Sequence, residues 1–167
     1  MPGASVTVRR SAGGITVDLL GTTRDVATPT IGAYETAADL AAPIISYSPL
    51  LNTTSTSSRT LATSVTDVSG VPTSGIGLPV VYFRKGSTDP YVSSQCVFMG
   101  GSTYNCLIDY SLVTGGSTSA GDTIQYYVAA QDSVGNVGTN PATGASGFTA
   151  NPPAASTPPT PPSSYLV

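Results

Sequence analysis

Apolar and polar positions alternate most regularly between residues 121 and 136, GDTIQYYVAAQDSVGN. Ile124, Tyr126, Val128 and Ala130 fall on one side of an extended chain there, and Gln125, Tyr127, Ala129 and Gln131 on the other, which predicts a long half-buried strand. Asp132, Gly135 and Asn136 follow it with residues suited to a reversing turn. The same period of two recurs upstream over 44–50, 59–68, 78–85, 93–99 and 103–110, and a short last strand is expected over 146–150. Turn residues separate these runs: Asp67 to Gly70, Gly100 to Ser102, and the Gly/Ser/Thr stretch 115–121. The fold class expected is therefore all-β.

About seven strands at this spacing is the count of an immunoglobulin-like (fibronectin type III-like) β-sandwich, placed at residues 43–150. Two flanks differ in texture. Residues 1–42 hold short strand-like pieces, 6–10, 14–20 and 31–35, with too few large apolar side chains for a core of their own, and 37–42 read as a linker closed by Pro43. Residues 151–167, NPPAASTPPTPPSSYLV, are rich in Pro-Pro pairs and are expected to form an extended tail or linker in polyproline II conformation.

Composition narrows the function classes. Charged residues are 9% of the chain, against about 25% in average soluble proteins, so hydroxyls and amides must dominate the surface. The net charge is −3 and the six basic residues are scattered, which leaves nothing to neutralise a phosphate backbone and argues against nucleic-acid binding. No apolar run reaches the roughly 20 residues that span a bilayer. Met1-Pro2-Gly3 opens no signal peptide, so an exported chain is expected to have lost its leader. Histidine is absent, which removes Ser-His-Asp and Cys-His machinery and His-ligated metal. No two of the nine acids stand at a local spacing typical of a glycosidase pair. No catalytic residue is nominated and no cofactor is expected, calcium being the one ion weighed.

Three groups remain as candidate sites. Cys96 and Cys106 flank a turn at Gly100 to Ser102, and a hairpin there would bring them face to face as a disulfide, which points to an oxidising compartment. Asp132 with Asn136, together with Asp67, could offer oxygens to calcium at the loop ends of a sandwich; the competing reading is that both acids fix turns through side chain to backbone hydrogen bonds. Tyr127, Tyr82 and Tyr110 could form an exposed aromatic contact for a sugar face, against the alternative that they pack in the core or form a tyrosine corner. Asn52-Thr53-Thr54 satisfies the glycosylation sequon.

The stretches SVTDVSGV at 64–71, VVYFRKGS at 80–87 and IDYSLVTGGSTSAGDTIQYYVAAQDSVGN at 108–136 resemble the immunoglobulin-like and fibronectin type III-like modules of large bacterial (Bacteroidetes-type) secreted surface proteins. Residues 16–35, TVDLLGTTRDVATPTIGAYE, resemble the closing turn of choice-of-anchor parallel β-helix regions, with Asp18, Gly21, Arg24, Ile31, Gly32, Ala33 and Glu35 at the matching places. The resemblance implies an extracellular, non-catalytic module whose upstream part ends a β-helix. Its expected role is a cell-surface spacer or adhesion domain, whose partners are the neighbouring domains of one long chain. A second version is a self-assembling filament subunit that exchanges a strand or tail with another copy. A carbohydrate- or ligand-binding accessory domain is the alternative.

Overall fold

Eleven strands account for the regular structure of residues 39–167, which the computed structural model describes together with Val17 and Thr23. They are β1 (Ile44–Ser46), β2 (Arg59–Thr66), β3 (Val80–Lys85), β4 (Val92–Gln95), β5 (Val97–Gly100), β6 (Thr103–Ile108), β7 (Thr123–Gln131), β8 (Val137–Asn140), β9 (Ser146–Thr149), β10 (Ala154–Thr157) and β11 (Ser163–Leu166). No helix occurs among the described residues, so none there is long and apolar enough to cross a membrane. The chain divides into two units, Met1–Ala38 and Asp39–Val167. In the first, Val17 and Thr23 pair as an isolated antiparallel bridge. The strand pieces expected over 6–10, 14–20 and 31–35, and the β-helix-like residues Asp18, Gly21, Arg24, Ile31, Gly32, Ala33 and Glu35, otherwise lie outside the described residues.

In the second unit all pairing is antiparallel. One sheet has the order β1-β2-β6-β5; the other has β11-β7-β3-β4, with β8 also on β7. Alternation decides which side chains turn inward. Ile45, Leu61, Val65, Cys106 and Ile108 from the first sheet meet Val81, Phe83, Ile124, Tyr126 and Val128 from the second in one buried cluster. This is an all-β sandwich, as the sequence predicts.

The expected strand over 93–99 is two strands in different sheets: β4 pairs with β3, and β5 pairs with β6. Cys96 sits at the switch, where its N–H donates to the Pro79 carbonyl at 2.8 Å. Since Val97 lies opposite Asn105, Cys96 lies opposite Cys106, and the two form a disulfide with Cα atoms 4.2 Å apart. Gly100 and Gly101 turn this hairpin with φ of 110° and 60°, a region that favours glycine. Both sulfurs belong to fully buried residues, 1% and 0% exposed. Replacing both cysteines by Ala is expected to lower the unfolding free energy by about 2–3 kcal/mol on the chain-entropy account of so short a loop. A denaturant midpoint unchanged from wild type would show that the sandwich holds this hairpin without the bond.

The largest departure from expectation is at the C-terminal side. Residues 151–167 are not a free linker. Pro residues punctuate this segment, but 154–157 and 163–166 contain none and keep every N–H for pairing. β10 pairs with β9 as a hairpin, Ala154 opposite Thr149 and Thr157 opposite Ser146. β11 pairs with β7, Ser163 opposite Tyr126 and Leu166 opposite Thr123. The stretch 146–150, expected as the last strand of the sandwich, belongs to the hairpin instead. The sandwich is completed by β8, which the sequence pattern did not single out, and by β11.

The hairpin also explains why β7 is not half-buried. Tyr127, Ala129 and Gln131, on the side away from the central cluster, are 1%, 0% and 5% exposed. β10 lies against β7, the Tyr82 hydroxyl donates to the Pro153 carbonyl at 3.1 Å, and Gln131 is bonded to Asn151. A third layer thus covers the outer face of β7 and β3, over which Val80 and Ala155 are also buried.

Candidate functional site

Three loops meet at one end of the sandwich: the entry to β1, the exit of β2 and the turn from β7 to β8. Each brings an aspartate. Carboxylate oxygens of Asp39, Asp67 and Asp132 lie within 4.8 Å of one another. Asp132 is fully buried and organises its turn: one oxygen accepts the N–H groups of Val134, Gly135 and Asn136 at 2.9, 2.6 and 2.8 Å, and the other accepts the Asn136 amide at 2.6 Å. Burial pushes the Asp132 carboxyl up, but the hydrogen bonds from Asn136, Val134 and Gly135 outweigh it and hold the group below the usual carboxylate range. Asp67 does the same for the β2 exit, accepting the N–H and hydroxyl of Ser69 at 2.8 Å each. Asn136 ties the ends together by donating also to the Asp39 carbonyl at 2.9 Å.

The structure therefore gathers Asp67, Asp132 and Asn136 in one place, and adds Asp39, which the sequence pattern placed in a linker. These carboxylates could hold a hard cation, for which oxygen donors are the suitable chemistry. The bonds present are turn-fixing bonds: they occupy one oxygen of Asp67 and both oxygens of Asp132, and Asn136 enters them as a donor through its side-chain amide nitrogen. The second unit begins at Asp39, whose carbonyl is tied to this loop cluster by Asn136.

The aromatic residues are arranged differently from an exposed platform. Tyr127 stacks on Tyr82 at 5.0 Å and 9° and meets Tyr91 edge-on at 5.2 Å, with the Arg84 guanidinium 4.5 Å above Tyr91. Tyr127 is 1% exposed because the β9–β10 hairpin lies over it, and Tyr110 is 3% exposed. Neither can present a face to a sugar. Tyr82 is partly buried, with its hydroxyl committed to Pro153.

Tyr110 belongs to a second constellation that the sequence reading missed, where β11 enters the sandwich. Its hydroxyl is hydrogen-bonded to that of Tyr165 at 2.7 Å. The Tyr165 ring packs at 5.8 Å from Tyr126 and lies 4.8 Å below the Arg59 guanidinium. Burial and the Tyr110 hydroxyl both push the Tyr165 phenol far above its ordinary value. Nearby, Tyr47 donates to the Asn140 carbonyl at 2.7 Å and bonds the Ser163 hydroxyl at 3.0 Å; burial pushes its phenol up to about 12. The signal was present as Tyr165 and Val167 two positions apart, an alternation hidden by the surrounding prolines. No family model matches the chain, and no curated protein matches it.

Proposed function

We propose that the chain is a non-catalytic extracellular structural module of a bacterial cell surface, a spacer or adhesion domain. The observation that carries this reading is that residues 163–167 close the edge of their own second sheet, so the C-terminal segment adds rigidity to the module. The buried disulfide supports an oxidising compartment. The pairing order β1-β2-β6-β5 opposite β11/β8-β7-β3-β4 supports the immunoglobulin-like resemblance, in which strands A, B, E and D face C, F and G. Burial of Tyr127 and Tyr110 weighs against a carbohydrate-binding role.

At micromolar concentration, light scattering is expected to give the mass of one chain, 16.8 kDa, and incubation with insoluble polysaccharides is expected to leave the protein in the supernatant. An obligate oligomer would overturn the spacer reading, and retention on a polysaccharide would replace it with the ligand-binding one. The filament reading is kept as a second proposal because of one feature, the built slot that receives β11.

A further inference from the structure

The slot holding residues 163–167 has the parts of a peptide-recognition site. On one side, β7 pairs with Ser163–Leu166 in antiparallel register. On the other, Thr53 donates its N–H to the Leu166 carbonyl at 2.9 Å, and the Leu166 N–H donates to the Asn52 side-chain carbonyl at 3.0 Å. Beyond the strand, the Val167 N–H donates to the Asp122 carbonyl at 2.9 Å and its carbonyl accepts the Gly121 N–H at 2.7 Å. Alternate side chains are read: Tyr165 and Val167 are 3% and 4% exposed, while Ser164 and Leu166 face outward. Main-chain bonds with one aromatic anchor are how strand-addition sites recognise an extended peptide.

The main-chain bonds hold an extended segment, the buried Tyr165 and Val167 positions select its side chains, and none of these contacts specifies which copy supplies it. The segment is also set apart from the strand it continues. β8 covers Val128 to Gln131 along β7 and β11 covers Thr123 to Tyr126, with the whole of 141–162, including the β9–β10 hairpin, between them. The final approach, 158–162, is Pro-Pro-Thr-Pro-Pro, whose Thr160 N–H bonds back to Thr143 at 2.8 Å. The slot strand is thus carried on an arm, and releasing it from the slot leaves the pairs of β8 with β7 and of β10 with β9 unbroken.

We propose that the slot between β7 and Asn52–Thr53 is an acceptor site for the 163–167 segment of a second copy, through which chains link by strand exchange. This rests on the structural-module reading and identifies the partner as the same chain. Filling in cis and in trans makes the same bonds, so concentration decides: the tethered strand wins until the protein approaches the roughly millimolar effective concentration that a short tether provides. A reciprocal exchange closes into a dimer, and a head-to-tail exchange whose rotation does not close extends into a chain of copies.

Full-length protein carrying Gln125→Cys and Ser164→Cys tests this, because these residues are direct cross-strand partners. The variant is refolded and oxidised at micromolar and at near-millimolar concentration, run without reductant, and the linkage mapped to the two substituted positions by mass spectrometry. Closed single chains are expected in dilute solution. In concentrated solution linked chains are expected, as a closed dimer or as a ladder, kept when Tyr165→Phe is added and lost when Tyr165→Ala is added. Closed single chains at every concentration would overturn the proposal while leaving the spacer reading standing. Linked chains indifferent to Tyr165→Ala would overturn it too, since linkage would then not use the anchored slot.

Discussion

Asp132→Ala is expected to lower the unfolding free energy by on the order of 4 kcal/mol, because it removes a charged acceptor from three backbone N–H groups and from the Asn136 amide at a fully buried position. Against a stability of roughly 5–15 kcal/mol for a domain of this kind, that is a large share. Asp132→Asn keeps an acceptor oxygen for the turn and should lose less. The comparison also carries a pH dependence. Asp132 is held below its ordinary value in the folded chain, so its ionised form contributes stability that is fully present above the unfolded carboxylate value of about 4 and is lost as pH falls through the lower folded value. Urea midpoints of wild type and Asp132→Asn should therefore differ by a constant amount from about pH 5 to 8 and converge below about pH 4. A gap that persists to strongly acid pH would mean that the carboxylate charge is not what holds the turn.

Tyr165→Ala is expected to cost about 3–5 kcal/mol, the range for truncating a large buried aromatic side chain. The ring packs on Tyr126 and under Arg59, and its loss leaves the Tyr110 hydroxyl without its buried partner. Tyr165→Phe keeps the ring and removes one hydrogen bond, for about 1 kcal/mol. Hydrogen exchange gives the spatial check. In the Ala variant the amides of Thr53, Gly121 and Leu166, which bond across the slot, should lose protection, while Leu61 and Cys106 on the facing sheet keep theirs. Unchanged protection at Thr53 and Gly121 would show that β11 stays in place without its anchor.

These two residues were legible to different degrees. Asp132 stood at the end of the strongest alternating run, followed by Gly135 and Asn136, and local turn chemistry was enough to single it out. Its neighbours Asp39 and Asp67 are distant in sequence, and only the meeting of three loops puts their carboxylates together. Tyr165 was masked by composition. Four prolines in 158–162 predict an extended tail, and a four-residue run beyond them carries too few positions to establish a strand by periodicity. What makes β11 a strand is a vacant stretch of β7 edge, offered by residues nearly forty positions upstream.

The two faces of β7 show the same division. Alternation placed Ile124, Tyr126, Val128 and Ala130 together, and they do line the central cluster. The opposite face holds Tyr127 and Ala129 as well, a pattern that fits either an exposed face or a covered one. The β9–β10 hairpin covers it, which turns a candidate aromatic contact into packing.

By itself, then, the sequence determined the all-β class, most strands of the sandwich, the Cys96–Cys106 pairing and the turn chemistry of Asp67 and Asp132. These depend on side-chain period and on residues close along the chain, where local sterics and short hydrogen bonds decide. The tertiary structure alone decided that the 92–100 run divides between two sheets, that a third layer covers β7, and that residues 163–167 belong in the sandwich. Each of those depends on which open sheet edge or apolar face lies within reach of a distant segment, and unpaired N–H groups and uncovered apolar area are properties of the assembled fold rather than of any window of residues.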